Sequence, residues 1–440
     1  MEMIKSRKNI DTSRFLGALG MLLVPALYSL LRMYFVVNMQ SDITNIIAQS
    51  SWINLTFEIL SEGMILPMYF IINKAKEEKR DLQPIISVYF SYTVFVTIVF
   101  AIIVKCYLPQ LATIMEVPSD ILKDTILCNS LELIGAVWNI VIQFLMLLAL
   151  FDDKRVSVLH KVILVRFVVG FACDIAFLSN YKIVDVGVLA PASSNIVSQI
   201  IMVVIVLYLL NKVNLMPKCN LNITYVTKEY LSRCTLLMVE VLVRNLAFSL
   251  MIIKLINTVQ EQGTYWIANQ IIWSWLLIPC LAISDVIRAV GIQKENAKAY
   301  LRFVHIIALL YVGSLFLCKP FMEYILKIED TTSVMGVLMI QAPFYIIFIY
   351  NSMIDSLFHH LGKSKELLIQ SILVNTIYYG TLAILYYLNV VEFSLEKIAL
   401  MFGVGILLDF FVTLYQARGI LPTLFGREIG DCCKADESAK

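Results

Sequence analysis

Charged residues inside apolar stretches are where this chain could do chemistry. Arg32 stands within "LYSLLRMYFVV", and Glu58, Glu132 and Asp174 stand within later apolar stretches. Each lies about five to seven residues from the same end of its stretch. At about 1.5 Å per helical residue this puts four charges at one depth. Carboxylates at membrane depth can take up and release a proton or a cation such as Na⁺, or hold a charged group of an organic molecule. Arginine keeps its charge, so Arg32 can only tether or bind. Three readings stay open for it: reaching outward to the interface, a structural ion pair with Glu58, Glu132 or Asp174, or direct contact with a ligand. In the second half, Glu240 and Arg244 are four apart on one helical face, a structural pair or a site. Asp355, His305 and Asp409 share their half of the bilayer, and Asn139, Gln143, Asn195, Ser198 and Gln199 add uncharged donors.

These residues need helices to place them. The chain has 440 residues, 59% hydrophobic and 15% charged. A soluble domain has about 45–50% and 25%, so the composition is that of a polytopic membrane protein. No strand alternation competes with helical spans. Twelve stretches are long enough to cross, at 15–37, 51–72, 84–108, 126–151, 158–179, 187–210, 231–256, 264–287, 300–319, 335–358, 366–388 and 396–417. The first follows a basic segment but is too long for a cleavable signal. A net charge of +2 implies no nucleic-acid partner. The nine cysteines have no zinc or disulfide spacing, and no His-Glu-x-x-His, Gly-x-Ser-x-Gly or P-loop occurs. The chain therefore reads as no enzyme, with no metal site of its own and no cofactor beyond H⁺ or Na⁺ as a coupling ion, Na⁺ near Asp174.

Lys and Arg set the orientation. With the N-terminus inside, 25 of the 35 fall on inner segments, seven on outer ones, and Arg32, Arg166 and Arg244 within spans. That bias predicts both termini in the cytoplasm of a cell (plasma or inner) membrane. The chain also repeats. "CYLPQLATIMEVPSDI" from Cys106 parallels "CKPFMEYILKIEDTTS" from Cys318, and "ALFDDKRVSVLHKVIL" parallels "SLFHHLGKSKELLIQSIL". Six spans per repeat is even, so the halves form two six-helix bundles related by an axis along the membrane normal. The expected division is a tail at 1–14, an N-terminal lobe at 15–212, a linker at 213–230, a C-terminal lobe at 231–417 and a tail at 418–440. Two such bundles around a cavity are a transporter plan.

Several stretches, in order and spacing, resemble the multidrug and toxic compound extrusion (MATE) family, within the multidrug/oligosaccharidyl-lipid/polysaccharide (MOP) exporter superfamily. "LYSLLRMYFV" resembles the end of its first helix, "YLPQLATIMEVPSDI" its loop after the third, "LFDDKRVSVLHKVILVRFVVGFACDIAFL" its entry to the fifth and "VDVGVLAPASSNIVSQ" its entry to the sixth. The chain departs where the family's helix-one Asp aligns with Arg32, its early Pro with Gly17, and its Gly-rich loop with "KAKEEKR". Asp174 matches the helix-five Asp, Glu240 the helix-seven acid and Asp355 the helix-ten acid.

The resemblance implies a monomeric secondary active transporter in the lipid bilayer. It would export amphipathic organic compounds (drugs, toxins or metabolites) by alternating access, in antiport with H⁺ through Asp174, Glu58 or Glu132, or with Na⁺. The alternatives are a flippase for a lipid-linked saccharide or peptide and a non-transporting scaffold or receptor. One Arg among three acids gives the N-terminal cluster a net acidic character, which speaks against a diphosphate-binding flippase. A scaffold would have a closed apolar interior.

Overall fold

The computed structural model of the chain describes residues 12–425 apart from 40, 66, 69–70, 73–74, 76–77, 151–155, 213–216 and 218–227. The outer parts of both expected tails, most of the expected linker, and Lys74, Lys76 and Glu77 of "KAKEEKR" lie outside the described residues. Among the described residues the chain is all helix. α1 spans Thr12–Val37, and α2 runs as Ser41–Ala48, Ser50–Leu60 and a π-helical turn at Ser61–Ile65. α3 spans Leu82–Ile114, α4 Leu122–Leu150, α5 Val156–Leu178 and α6 Ala190–Lys212. α7 begins at Lys228–Phe248 and continues through a π turn, Ser249–Ile253, to Lys254–Thr258. α8 comprises Gln262–Ile271, a π turn at Ile272–Leu276 and Ile278–Val290. α9 spans Ala297–Pro320 with a π turn at Phe321–Leu326, and α10 spans Thr331–His360. α11 comprises Ser364–Ile372, Leu373–Tyr379 and Gly380–Tyr387; α12 spans Leu395–Ala417.

Nine of these helices are long and apolar enough to cross a membrane, and the two bent halves of α8 make a tenth. α2 and α5 complete the twelve expected spans. Several helices overrun their expected ends: α2 starts at Ser41 and α3 continues to Ile114. α8 bends by 53°. Pro279 follows the bend, where its ring removes an N–H donor and crowds the preceding turn.

With an even number of spans, the start of α1 and the end of α12 lie at one end of the bundle, the terminal end; the other is the distal end. Two six-helix bundles in parallel repeat build the fold. One buried apolar cluster joins α2–α6 and reaches Tyr230, Cys234 and Ile253 of α7. The other joins α7–α12 and takes in Phe15, Ala18, Leu30 and Met33 of α1. The C-terminal cluster thus takes in part of α1, and the N-terminal cluster part of α7.

Candidate functional site

α1 lies between α5 and α8. Arg32 does not turn outward. Its Nη1 donates to Asp174 Oδ1 of α5 at 3.2 Å and to the Tyr28 hydroxyl one turn back at 3.0 Å, and its Nη2 donates to the Pro191 carbonyl of α6 at 2.7 Å. Asp174 is 1% exposed, and its Oδ1 also accepts from the Ser194 hydroxyl at 2.5 Å. Both chains of this pair are held by more than each other, which is what makes a buried ion pair tolerable.

Above this pair is a cavity of about 250 Å³. α1 contributes Tyr28, Arg32 and Met33, α4 Glu132, α5 Arg166, and α6 Asn195 and Gln199. Trp266 and Gln270 of α8 close it from the C-terminal bundle. Glu132 accepts from Asn195 Nδ2 at 2.7 Å and makes no ion pair among the described residues. Arg166 Nη2 donates to Asn139 Oδ1 at 3.0 Å, and no carboxylate pairs with Arg166 among the described residues. The scaffold reading, with its closed apolar interior, does not fit this cavity.

Glu58 is not part of it. It faces α7, where Arg244 Nη2 donates to Glu58 Oε1 and Glu62 Oε2, and Nη1 to Glu240 Oε1, all at 3.2 Å. Asn245 adds bonds to Glu58 Oε2 at 3.0 Å and to the Leu55 carbonyl at 2.8 Å. The helices come close here because α2 presents Gly63: a Cβ at that position would run into the Met238 side chain. The expected layer of one Arg and three acids is corrected accordingly. α2 is turned so that Glu58 meets α7. The cavity then holds two arginines, Glu132, and Asp174 already spent on Arg32. The net-acid argument against an anion-binding site falls with it.

Asp355 of α10 and Asp409 of α12 come together deeper in the C-terminal bundle. Asn351 Nδ2 bridges their Oδ2 atoms at 3.1 and 2.8 Å, Gln370 Nε2 donates to Asp409 at 2.9 Å, and Thr413 Oγ1 lies 3.5 Å from Asp355. No cation pairs with either acid among the described residues. Two carboxylates sharing one amide repel each other unless a proton or a cation joins them. His305 is apart, bonded to the Leu301 carbonyl of its own helix at 2.7 Å.

The bundles are fastened at the distal end. Gln49 of α2 and Asn257 of α7 exchange amide bonds at 2.7 and 3.2 Å, and Asn257 also reaches the Met115 carbonyl at 2.6 Å. Asn45 accepts from the Gly263 N–H at 3.0 Å, and Lys254 pairs with Glu116 at 3.1 Å.

Sequence reasoning missed Arg166 as a site residue and Asp409 as the partner of Asp355. Arg166 gave a signal, being one of three basic residues within spans; the pairing of Asp355 with Asp409 gave none.

No protein-family model matches the chain, and no curated protein matches it by sequence. Solved structures do match. An inward-facing conformation of a multidrug resistance MATE family transporter of the MOP superfamily superposes with a TM-score of 0.71 at 13% identity, over 92% of this chain and 98% of that one. An outward-facing conformation of such a transporter gives 0.69 at 14% identity, over 93% and 94%. A MOP superfamily transporter from Pyrococcus furiosus, described as having a binding pocket of reverse polarity that suggests a different function, gives 0.67 at 15% identity, over 93% and 95%.

Proposed function

From a chain that carries the fold of the MATE transporters, we propose a secondary transporter that moves small amphipathic organic molecules out of the cell by alternating access. The single observation that carries this reading is a polar cavity walled by both bundles, beside a distal seam made of a few amide bonds and one ion pair. Side-chain bonds of this kind are worth about 1 kcal/mol each, so rocking the bundles apart is affordable in thermal terms. The terminal end faces the cytoplasm, which the distribution of Lys and Arg supports. The chain works as a monomer, since each of the two bundles already supplies the other's partner surface.

Coupling to H⁺ or Na⁺ moves away from two of the acids first considered. Asp174 and Glu58 are engaged by arginines. Glu132, held among the described residues by Asn195, and the Asp355–Asp409 pair are the carboxylates left to exchange a proton or a cation. A lipid-linked flippase shares the cavity requirement, and the pocket described for the Pyrococcus relative keeps a polarity change within reach of this fold. The volume of about 250 Å³ favours a small ligand.

The test uses a Cys106→Ser background carrying Asn54→Cys, a cavity-lining position, in proteoliposomes. An impermeant maleimide should label it from both sides. Cross-linking Gln49→Cys to Asn257→Cys should stop labelling from the distal side and stop efflux together. Labelling from one side only, unchanged by the cross-link, overturns the proposal.

A further inference from the structure

We propose that the cavity binds organic anions, with Arg166 as the group that receives the negative charge. This rests on the transporter reading for its purpose but not for its chemistry. A guanidinium has five N–H donors in a planar fork suited to two oxygens of a carboxylate, sulfonate or phosphate. Arg166 spends one on Asn139 and makes no other bond among the described residues. It lines the cavity, and among the described residues no carboxylate pairs with it. A cation in such a place is costly unless water or an anion completes it.

The other charges do not supply that partner. Asp174 has its Oδ1 committed to Arg32 and Ser194. Glu132 takes the Asn195 amide and lies close enough to Arg32 to attract it. Two arginines and two carboxylates balance in number here, but among the described residues Arg166 bonds no carboxylate and keeps donors free on the α5 wall. Along the same cavity, Met33, Val36, Met202 and Trp266 offer apolar surface for the body of the molecule. The occupant is therefore an anion with a short apolar tail. The same oxyanion could arrive on a free organic acid or ester or on a lipid headgroup, and the experiment separates these.

The full chain is placed in nanodiscs of zwitterionic lipid, and binding is read by calorimetry and by the thermal unfolding shift that a ligand of the folded state produces. The probes are hexyl phosphate, inorganic phosphate and hexyltrimethylammonium. Hexyl phosphate should bind saturably and more tightly than inorganic phosphate, and the cation should produce no shift. Arg166→Gln should weaken hexyl phosphate about 10- to 100-fold, the range for losing hydrogen bonds to a charged group, and Arg166→Lys should recover part of it. If the natural source is a lipid headgroup, adding phosphatidylglycerol to the disc will compete with hexyl phosphate; if it is a free compound, the affinity will not change. Tighter binding of the cation by the unaltered protein overturns the proposal even if Arg166→Gln fails to fold. So does equal binding of hexyl phosphate by Arg166→Gln. Binding through Arg166 without two-sided labelling at Asn54 leaves the anion site standing and removes transport; two-sided labelling without anion binding does the reverse.

Discussion

Arg32 and Arg244 lie 212 residues apart, the same interval that separates Cys106 from Cys318. They are the same position in two copies of one bundle, and each bonds the residue one turn before it, Tyr28 at 3.0 Å and Glu240 at 3.2 Å. Beyond that they differ. Arg32 is satisfied inside its own bundle, by Asp174 and the Pro191 carbonyl. Arg244 reaches across to the other bundle, to Glu58 and Glu62. The same interval carries those two acids onto Gln270 and Ser274 of α8, which bond Ser29 of α1 at 3.1 and 3.2 Å. Both seams also pass a π-helical turn, at Ser61–Ile65 and Ile272–Leu276. A duplicated frame has thus kept its geometry while one seam became a charge cluster and the other stayed neutral. The neutral seam borders the cavity. The outcome is an arginine with no bonded carboxylate among the described residues beside the N-terminal cavity, Arg166, and an acidic excess around Arg244 and at Asp355–Asp409.

The largest effect expected from breaking this contrast is at Arg32. Arg32→Leu leaves a carboxylate that is 1% exposed without its cation, at a cost of about 3–5 kcal/mol. Asp174→Asn in the same chain should restore part of that. Thermal unfolding in detergent measures both, and a single variant as stable as the parent would show that the pair carries nothing.

At the equivalent position the loss should be smaller. The Arg244 side chain is 42% exposed, so screening reduces the cost of Arg244→Leu to about 1–2 kcal/mol. The loss should shrink in high salt, whereas the Arg32 loss should not. Equal salt dependence at the two sites would erase the distinction between a buried and a wet cluster. Ser29→Ala, on the neutral seam, should cost about 1 kcal/mol with no salt dependence. A salt-sensitive loss there would mean that this seam is not neutral.

The smallest change in stability is expected at the acid pair. Asp409→Asn removes one of two adjoining carboxylates while keeping a polar group beside Asn351 and Gln370, so stability should stay within about 1 kcal/mol or rise. Ion-driven uptake of label in vesicles should fall sharply all the same. Unimpaired ion coupling in that variant would assign the coupling to Glu132 instead.

The sequence by itself determined the helical class, the twelve crossings, the even count that puts both termini at one end, and the repeat. Length, hydropathy and internal similarity are properties of the chain, and the lipid core demands helices whatever packs beside them. It also set the expected positions of Arg32, Glu58, Glu132 and Asp174 along their helices, because rise per residue is fixed. It did not determine which of them meet. A spanning helix is apolar on the lipid side and on the packed side alike, so little in its pattern says which way it is turned. Position along a helix was therefore legible and azimuth was not. Only the tertiary structure turned Glu58 to α7, gave Arg32 to Asp174, joined Asp355 to Asp409 through Asn351, and left Arg166 facing the cavity with no carboxylate bonded to it among the described residues.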